Sequence, residues 1–258
     1  MSVGIERGLR SVTATRYVMA LREGGSLPGL VEADDDGMYV MKFRGAGQGA
    51  AALAAEVVAG ELTRALGMPV PELVVACLEP ELARAEPDPE IQELAQASVG
   101  VNLGVDFLPG ALPFTAAAAA SLDPATAADI VWFDALVMNV DRTPRNPNML
   151  AWHGRTWLID HGAAFYRQHG EAPLARYARA PFHHIRDHVL LAQAGPIAEA
   201  DGRLAGAAAA AISSSVALVP REWLGDAPDT RRADFEAFLS ERLTPPREFV
   251  HEADDARP

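Results

Sequence analysis

Asp141, Asn146 and Asp160 are the residues of this chain whose types and spacing could do chemistry. They lie in Asn139-Val140-Asp141-Arg142-Thr143-Pro144-Arg145-Asn146-Pro147-Asn148-Met149-Leu150 and in Trp157-Leu158-Ile159-Asp160-His161-Gly162. A carboxylate can orient an attacking hydroxyl and accept its proton. An amide oxygen and a second carboxylate are hard ligands of the kind Mg2+ takes. The three together are the minimal oxygen set for phosphoryl transfer. Asp, Asn and Pro are also ordinary turn formers, so the loop needs support from elsewhere. It comes from Asp160, at the end of the next apolar strand, and from an upstream lysine, Lys42.

The elements that must position these groups can be read from periodicity. The catalytic stretch reads as a loop, a strand, a turn at Gly154 and a second strand, which puts Asp141, Asn146 and Asp160 at strand mouths. A helix capped by Asp123, with Pro124 in its first turn, runs up to Asn139 and delivers the loop. Asp134 on that helix either braces the loop or faces solvent. Upstream, Val12 to Leu21 and Leu30 to Ala33 read as strands around the turn-rich Arg22-Glu23-Gly24-Gly25-Ser26-Leu27-Pro28-Gly29. Such a turn lets backbone N–H groups approach phosphates. Met38 to Phe43 alternates, so Tyr39, Met41 and Phe43 share one face while Val40 and Lys42 share the other. Ala50 to Leu66 is an amphipathic helix ending at Gly67. Glu56 on it is a candidate ion-pair partner for Lys42, with Glu61 as the alternative. Strands follow at Pro71 to Leu78 and Ala97 to Phe107, with a helix capped by Asp88 between them. Near the end come an Ala-rich segment from Leu204, a helix with Phe235, Phe238 and Leu239, and an acidic terminus expected to fray.

The interval from Asp141 to Asn146 matches the catalytic-loop spacing of protein kinases, and Asp160-His161-Gly162 resembles their Asp-Phe-Gly. The loop departs from their His-Arg-Asp order, since Val140 precedes Asp141 and Arg142 follows it. Asp-Arg is instead similar to phosphatidylinositol kinases and their bacterial relatives. With Lys42 and the helix-to-Pro run from Glu56 to Pro71, the chain resembles the HipA-like bacterial serine/threonine kinases over roughly Arg22 to Phe165.

That resemblance implies an α+β, two-lobed protein-kinase-like fold. Residues 1–108 would form a small β-rich N-lobe, a sheet with one helix, and residues 109–258 a larger, mainly helical C-lobe. It implies ATP and Mg2+. Gly24, Gly25 and Ser26 would cover the phosphates and Lys42 would neutralise them, fixed by Glu56. The hinge would be Val105, Asp106 and Phe107, the one that pairs with adenine left open. Asp141 would align the acceptor, and Asn146 and Asp160 would bind metal. Ser26 falls where members of the family autophosphorylate. The stretch ahead of the Gly-rich turn is too short for the extra N-terminal subdomain of the toxin that names the family, which leaves docking of an antitoxin open.

Composition narrows the partners. A formal charge of −13 over 258 residues argues against nucleic acid and anionic membrane surfaces, both of which need a positive footprint. The first residues carry no signal-peptide core, and no stretch is long and apolar enough for a membrane span. A single cysteine, Cys77, rules out an intrachain disulfide framework and reads as a buried strand residue. These features suit a cytoplasmic protein. His184 and His188 are one helical turn apart, but without a matching third ligand they read as structural. The expectation is ATP- and Mg2+-dependent transfer to a hydroxyl of a protein serine or threonine. The alternatives are a small-molecule kinase of aminoglycoside or sugar type, or a non-catalytic nucleotide-binding relative.

Overall fold

The first strand, β1 (Ser11–Ala20), is long enough to pair with two neighbours. The structure is a computed structural model in which residues 8–21, 27–47, 49–85, 88–170 and 172–258 are described. The later part of β1 runs antiparallel to β2 (Gly29–Ala33), which pairs in turn with β3 (Met38–Lys42). Its first residues, Ser11 to Thr13, run parallel to Val75 to Cys77 of β4 (Leu73–Leu78). β5 (Gly100–Asp106) lies antiparallel between β3 and β4. The five strands therefore close into a barrel of order β1-β2-β3-β5-β4, so the small sheet expected from sequence is a closed one. Closure satisfies the ladder groups that an edge strand would leave bare. The bulges in β1 between Ala14 and Arg16 and between Tyr17 and Met19 bend it enough to serve both partners.

Val12, Val31, Tyr39, Met41, Phe43, Val74 and Ala76 form the core of this unit. Tyr39, Met41 and Phe43 are all at or below 3% exposure, while Val40 and Lys42 on the other face are half-buried, as the alternation predicts. Gly104 faces the core, where an added Cβ would lie 2.7 Å from Val74 Cγ2, so only glycine fits. The turn after β2 is more than a reversal. Asp35 accepts from Tyr39 Oη at 2.8 Å and from Arg10, contacts that hold its carboxyl down to about 2. Cys77 is half-buried rather than in the core, because the inward positions of β4 fall to Val74, Ala76 and Leu78. Burial, then Glu79, pushes its thiol up.

The chain divides into two compact units. Residues 1–54, 71–109 and 218–225 make the first, which also holds α2 (Pro80–Ala85) and α3 (Pro89–Ala97). Asp88 caps α3, accepting from Glu90 N at 3.0 Å. Residues 218–225 join through Trp223, whose Nε1 donates to Val101 O at 3.2 Å.

The second unit holds residues 55–70, 110–217 and 226–258, so α1 (Ala50–Ala65) contributes its later turns here. It contains a small sheet, β6 (Leu112–Pro113), β7 (Met149–Trp152) and β8 (Arg155–Leu158). Its helices are α4 (Ala116–Ser121), α5 (Pro124–Leu136), α6 (Ile197–Ala217), α7 (Pro228–Leu243) and α8 (Glu248–Asp255). Phe165 packs edge-on against Phe235 and Phe238 of α7, with ring centroids 5.1 and 5.7 Å away. Among the described residues no helix is long and apolar enough to cross a membrane.

The acidic terminus does not fray. Phe249, Val250 and Ala253 of α8 are buried, and Phe249 meets Trp132 at 5.9 Å between ring centroids. Its acids are caps: Asp254 accepts from Ile197 N and Ala198 N at 2.8 and 3.0 Å, satisfying the open start of α6. Glu252 likewise accepts from Phe182 N at 2.5 Å. Phe249→Ala is therefore expected to cost about 3–5 kcal/mol and Asp254→Ala about 1 kcal/mol in chemical denaturation. A loss near zero for both would show that α8 contributes no packing.

Candidate active site

α5 leads into the stretch from Asn139 to Leu150 that the sequence marks as a candidate catalytic loop. Asp123 caps its start, accepting from Thr126 N at 2.9 Å, and from Ile130 to Leu136 every residue is buried. Asp134 lies inside that run with no exposure. An ionised carboxylate there is tolerated only with a full set of donors. Arg142 Nε donates to Asp134 Oδ2 at 2.5 Å, and His188 Nε2 lies 2.9 Å from the same oxygen. Asn139 Nδ2 donates to Oδ1 at 2.9 Å. Burial pushes the Asp134 carboxyl up, but Arg142 and His188 outweigh it and hold the group well below the usual carboxylate range. Asp134 is thus a brace, the first of the two roles open from sequence.

The brace sets the loop. Arg142 donates through Nη1 to the Asn148 carbonyl, and its own carbonyl accepts from Val189 N at 3.0 Å. Asp141, its neighbour, stays partly exposed. Asp141 N donates to Asn139 Oδ1 at 3.1 Å, and its Oδ2 accepts from Asn146 Nδ2 at 2.7 Å and from Asn148 Nδ2 at 3.2 Å. With its N–H turned to Asp141, Asn146 has Oδ1 left to offer a cation. The Asn148 carbonyl also accepts from Ile159 N at 3.0 Å, which brings Asp160, the next residue, beside the loop.

The hairpin that links them turns at His153 and Gly154, both with positive φ, as a two-residue primed turn requires. Met138, Asn148, Asp160 and Phe165 also have left-handed backbones, with φ between 48° and 56°. Such conformations cost about 1–3 kcal/mol each away from glycine and gather at functional sites. Asn148, Arg142 and His188 help set the loop's geometry, a part the motif reading did not give them. Asn148 carried a signal, a second asparagine two positions after Asn146. The roles of Arg142 and His188 depend on burial, which spacing does not report.

Glu56, on the part of α1 in the same unit, is 2% exposed, and its Oε1 lies 3.8 Å from His161 Nδ1. His161 is fully buried and stacks edge-on with Phe133 at 6.1 Å, and neither ring nitrogen finds a hydrogen bond among the described residues. Glu61 bonds Arg64 at 3.2 Å instead. His188 and His183 are structural: the first holds Asp134, and the second lies 2.6 Å from Glu252. Among the described residues no group of three His, Cys, Asp or Glu is arranged to hold a metal.

The remaining predicted residues belong to the first unit. Lys42 ends β3 opposite Leu103, on the barrel's outer face. The chain just after it is clamped, with Arg44 N donating to Asn102 Oδ1 at 2.8 Å and Gly45 N to Ser98 Oγ at 3.0 Å. In the predicted hinge, Val105 pairs with both Val40 and Leu73. Asp106 N and Phe107 N already donate to Glu72 O and Met38 O at 2.8 and 2.9 Å, so neither is available to a nucleotide. Gly24, Gly25 and Ser26 lie outside the described residues.

Because the Asp134 pKa is lowered on folding, its stabilising contribution is full above the unfolded carboxylate value of about 4 and is lost as pH falls below it. Asp134→Ala, which strands Arg142, is expected to cost about 3–5 kcal/mol at pH 7. The same variant should flatten the acid limb of the melting-temperature profile. Asp134→Leu with Arg142→Met removes both charges and should recover much of that stability without restoring the loop. An acid limb unchanged in Asp134→Ala would contradict the assignment.

Comparison with known proteins bears on the fold and the family. The Helicobacter pylori proinflammatory kinase CtkA has a similar fold, with a TM-score of 0.58 at 13% sequence identity over 96% of this chain and 97% of that one. No curated protein matches the sequence. The sequence model of the HipA-like kinases matches residues 16–244, and by that match over most of its length the chain belongs to the HipA-like kinase family.

Proposed function

We propose that this kinase transfers the γ-phosphoryl group of Mg2+-bound ATP to a serine or threonine hydroxyl of a protein. The observation that carries the reading is the Asp141 carboxylate, partly exposed and steered by Asn146 and Asn148 above the buried Arg142–Asp134 pair. Asp141 aligns the acceptor hydroxyl and takes its proton. The acceptor oxygen bonds to the γ-phosphorus as the bond from that phosphorus to the bridging oxygen breaks, and ADP leaves. Lys42 is the group assigned to the α- and β-phosphates.

The donor set fits Mg2+: Asn146 and Asp160 are exposed and offer hard oxygens, and the Asn146 amide is already oriented by Asp141. When bound there, the ion offsets charge on the phosphate oxygens.

Mass spectrometry of the protein and of candidate acceptors after incubation with Mg2+ and ATP tests the reading. Asp141→Ala is expected to lower kcat by about 10²–10⁴ with the fold intact. Asn148→Ala should lower kcat with little change in KM for ATP. Transfer at full rate by Asp141→Ala would overturn the assignment.

A further inference from the structure

In a chain with 35 acidic and 22 basic residues, many of the described arginines meet a carboxylate. Arg10, Arg84, Arg179 and Arg247, for example, each hold one. Besides Arg155 on the β7–β8 hairpin, Arg145, Arg167, Arg176 and Arg186 are different: these four are exposed, and none lies within ion-pair distance of an acid among the described residues. Arg145 is in the catalytic loop, and the other three follow Asp160-His161-Gly162. The described acid exposed on that later segment is Asp187.

The stretch is ordered around these cations. The Arg167 guanidinium lies 4.8 Å from the Tyr166 ring centre and 5.4 Å from that of Tyr177, which orients it without neutralising it. Tyr166 in turn packs edge-on against His184 at 5.6 Å, two residues before Arg186. The segment is tied back to the catalytic loop where His188 meets Asp134 and Val189 N meets the Arg142 carbonyl, so Arg186 and Arg145 flank one junction.

We infer that this arginine-bearing segment binds the acceptor, and that the acceptor is a peptide whose serine or threonine is flanked by aspartates and glutamates. The inference rests on the phosphotransfer reading and names its substrate class. Exposed guanidiniums in the loop that holds Asp141 and on the segment tied to it, with no acid partner among the described residues, attract carboxylates and repel a cationic acceptor such as an aminoglycoside. Four of them, spread over loop and segment, exceed what a small anionic molecule can engage together.

The test uses the full chain with Mg2+, labelled ATP and matched serine peptides with acidic, neutral or basic flanks. The acidic peptide should show kcat/KM at least about tenfold above the neutral one, through KM, and the advantage should shrink as salt rises. Arg176→Glu with Arg186→Glu, both exposed and with melting temperature checked, should raise KM for the acidic peptide and lower it for the basic one. Equal kcat/KM across the three peptides, or a preference unmoved by charge reversal, overturns the acceptor assignment and leaves phosphotransfer standing. Equal efficiency on a small anionic hydroxy compound overturns the peptide class. Transfer to no acceptor, the chain itself included, overturns both readings.

Discussion

Asp134 sits on a helix that has no wet face at that level, and the loop after the helix depends on what that burial demands. A buried carboxylate needs every lone pair met, and the donors available are Arg142, His188 and Asn139. Compared with a well-packed apolar core, such a pair adds little net stability, since desolvation offsets most of the attraction. Its consequence is geometric. Arg142 can satisfy Asp134 and the Asn148 carbonyl together only if residues 139–148 take one path. That path leaves Asp141 outward, with Asn146 and Asn148 on its carboxylate.

The first unit reaches a comparable constraint through backbone pairing. Closing five strands into a barrel fixes the register of β3, and hence the face on which Lys42 emerges. The close approach at Gly104 and the bonds from Arg44 and Gly45 to Asn102 and Ser98 hold the strands and the turn after Lys42. In the second unit the acidic side chains serve as joints. Asp234 accepts from Leu174 N and Ala175 N, and Asp254 from Ile197 N and Ala198 N. Acids placed on helix and turn starts in this way are not available to Arg167, Arg176 and Arg186, none of which meets an acid among the described residues.

Much of the local structure was legible from residue order. The alternation from Met38 to Phe43 gives the right inward face because period-two burial is a property of the strand alone. Asp88 and Asp123 cap the helices they precede, because a short carboxylate at that position meets free N–H groups within three residues. Other features were misread because their partners are distant in sequence. The acidic terminus looked solvated, yet Asp254 reaches residues 57 and 56 positions away. Cys77 looked buried beside apolar neighbours, but strand alternation turns it outward.

The sequence by itself determined the family, the order of strands and helices, and the oxygen-bearing residues that suit phosphoryl transfer, since each follows from residue type and short-range spacing. Tertiary structure decided that the sheet closes, that Asp134 is a brace, that the Asp106 and Phe107 N–H groups are already taken, and that His161 faces Glu56. Those outcomes turn on which groups lose water together, and burial is a property of the packed chain that no local pattern contains.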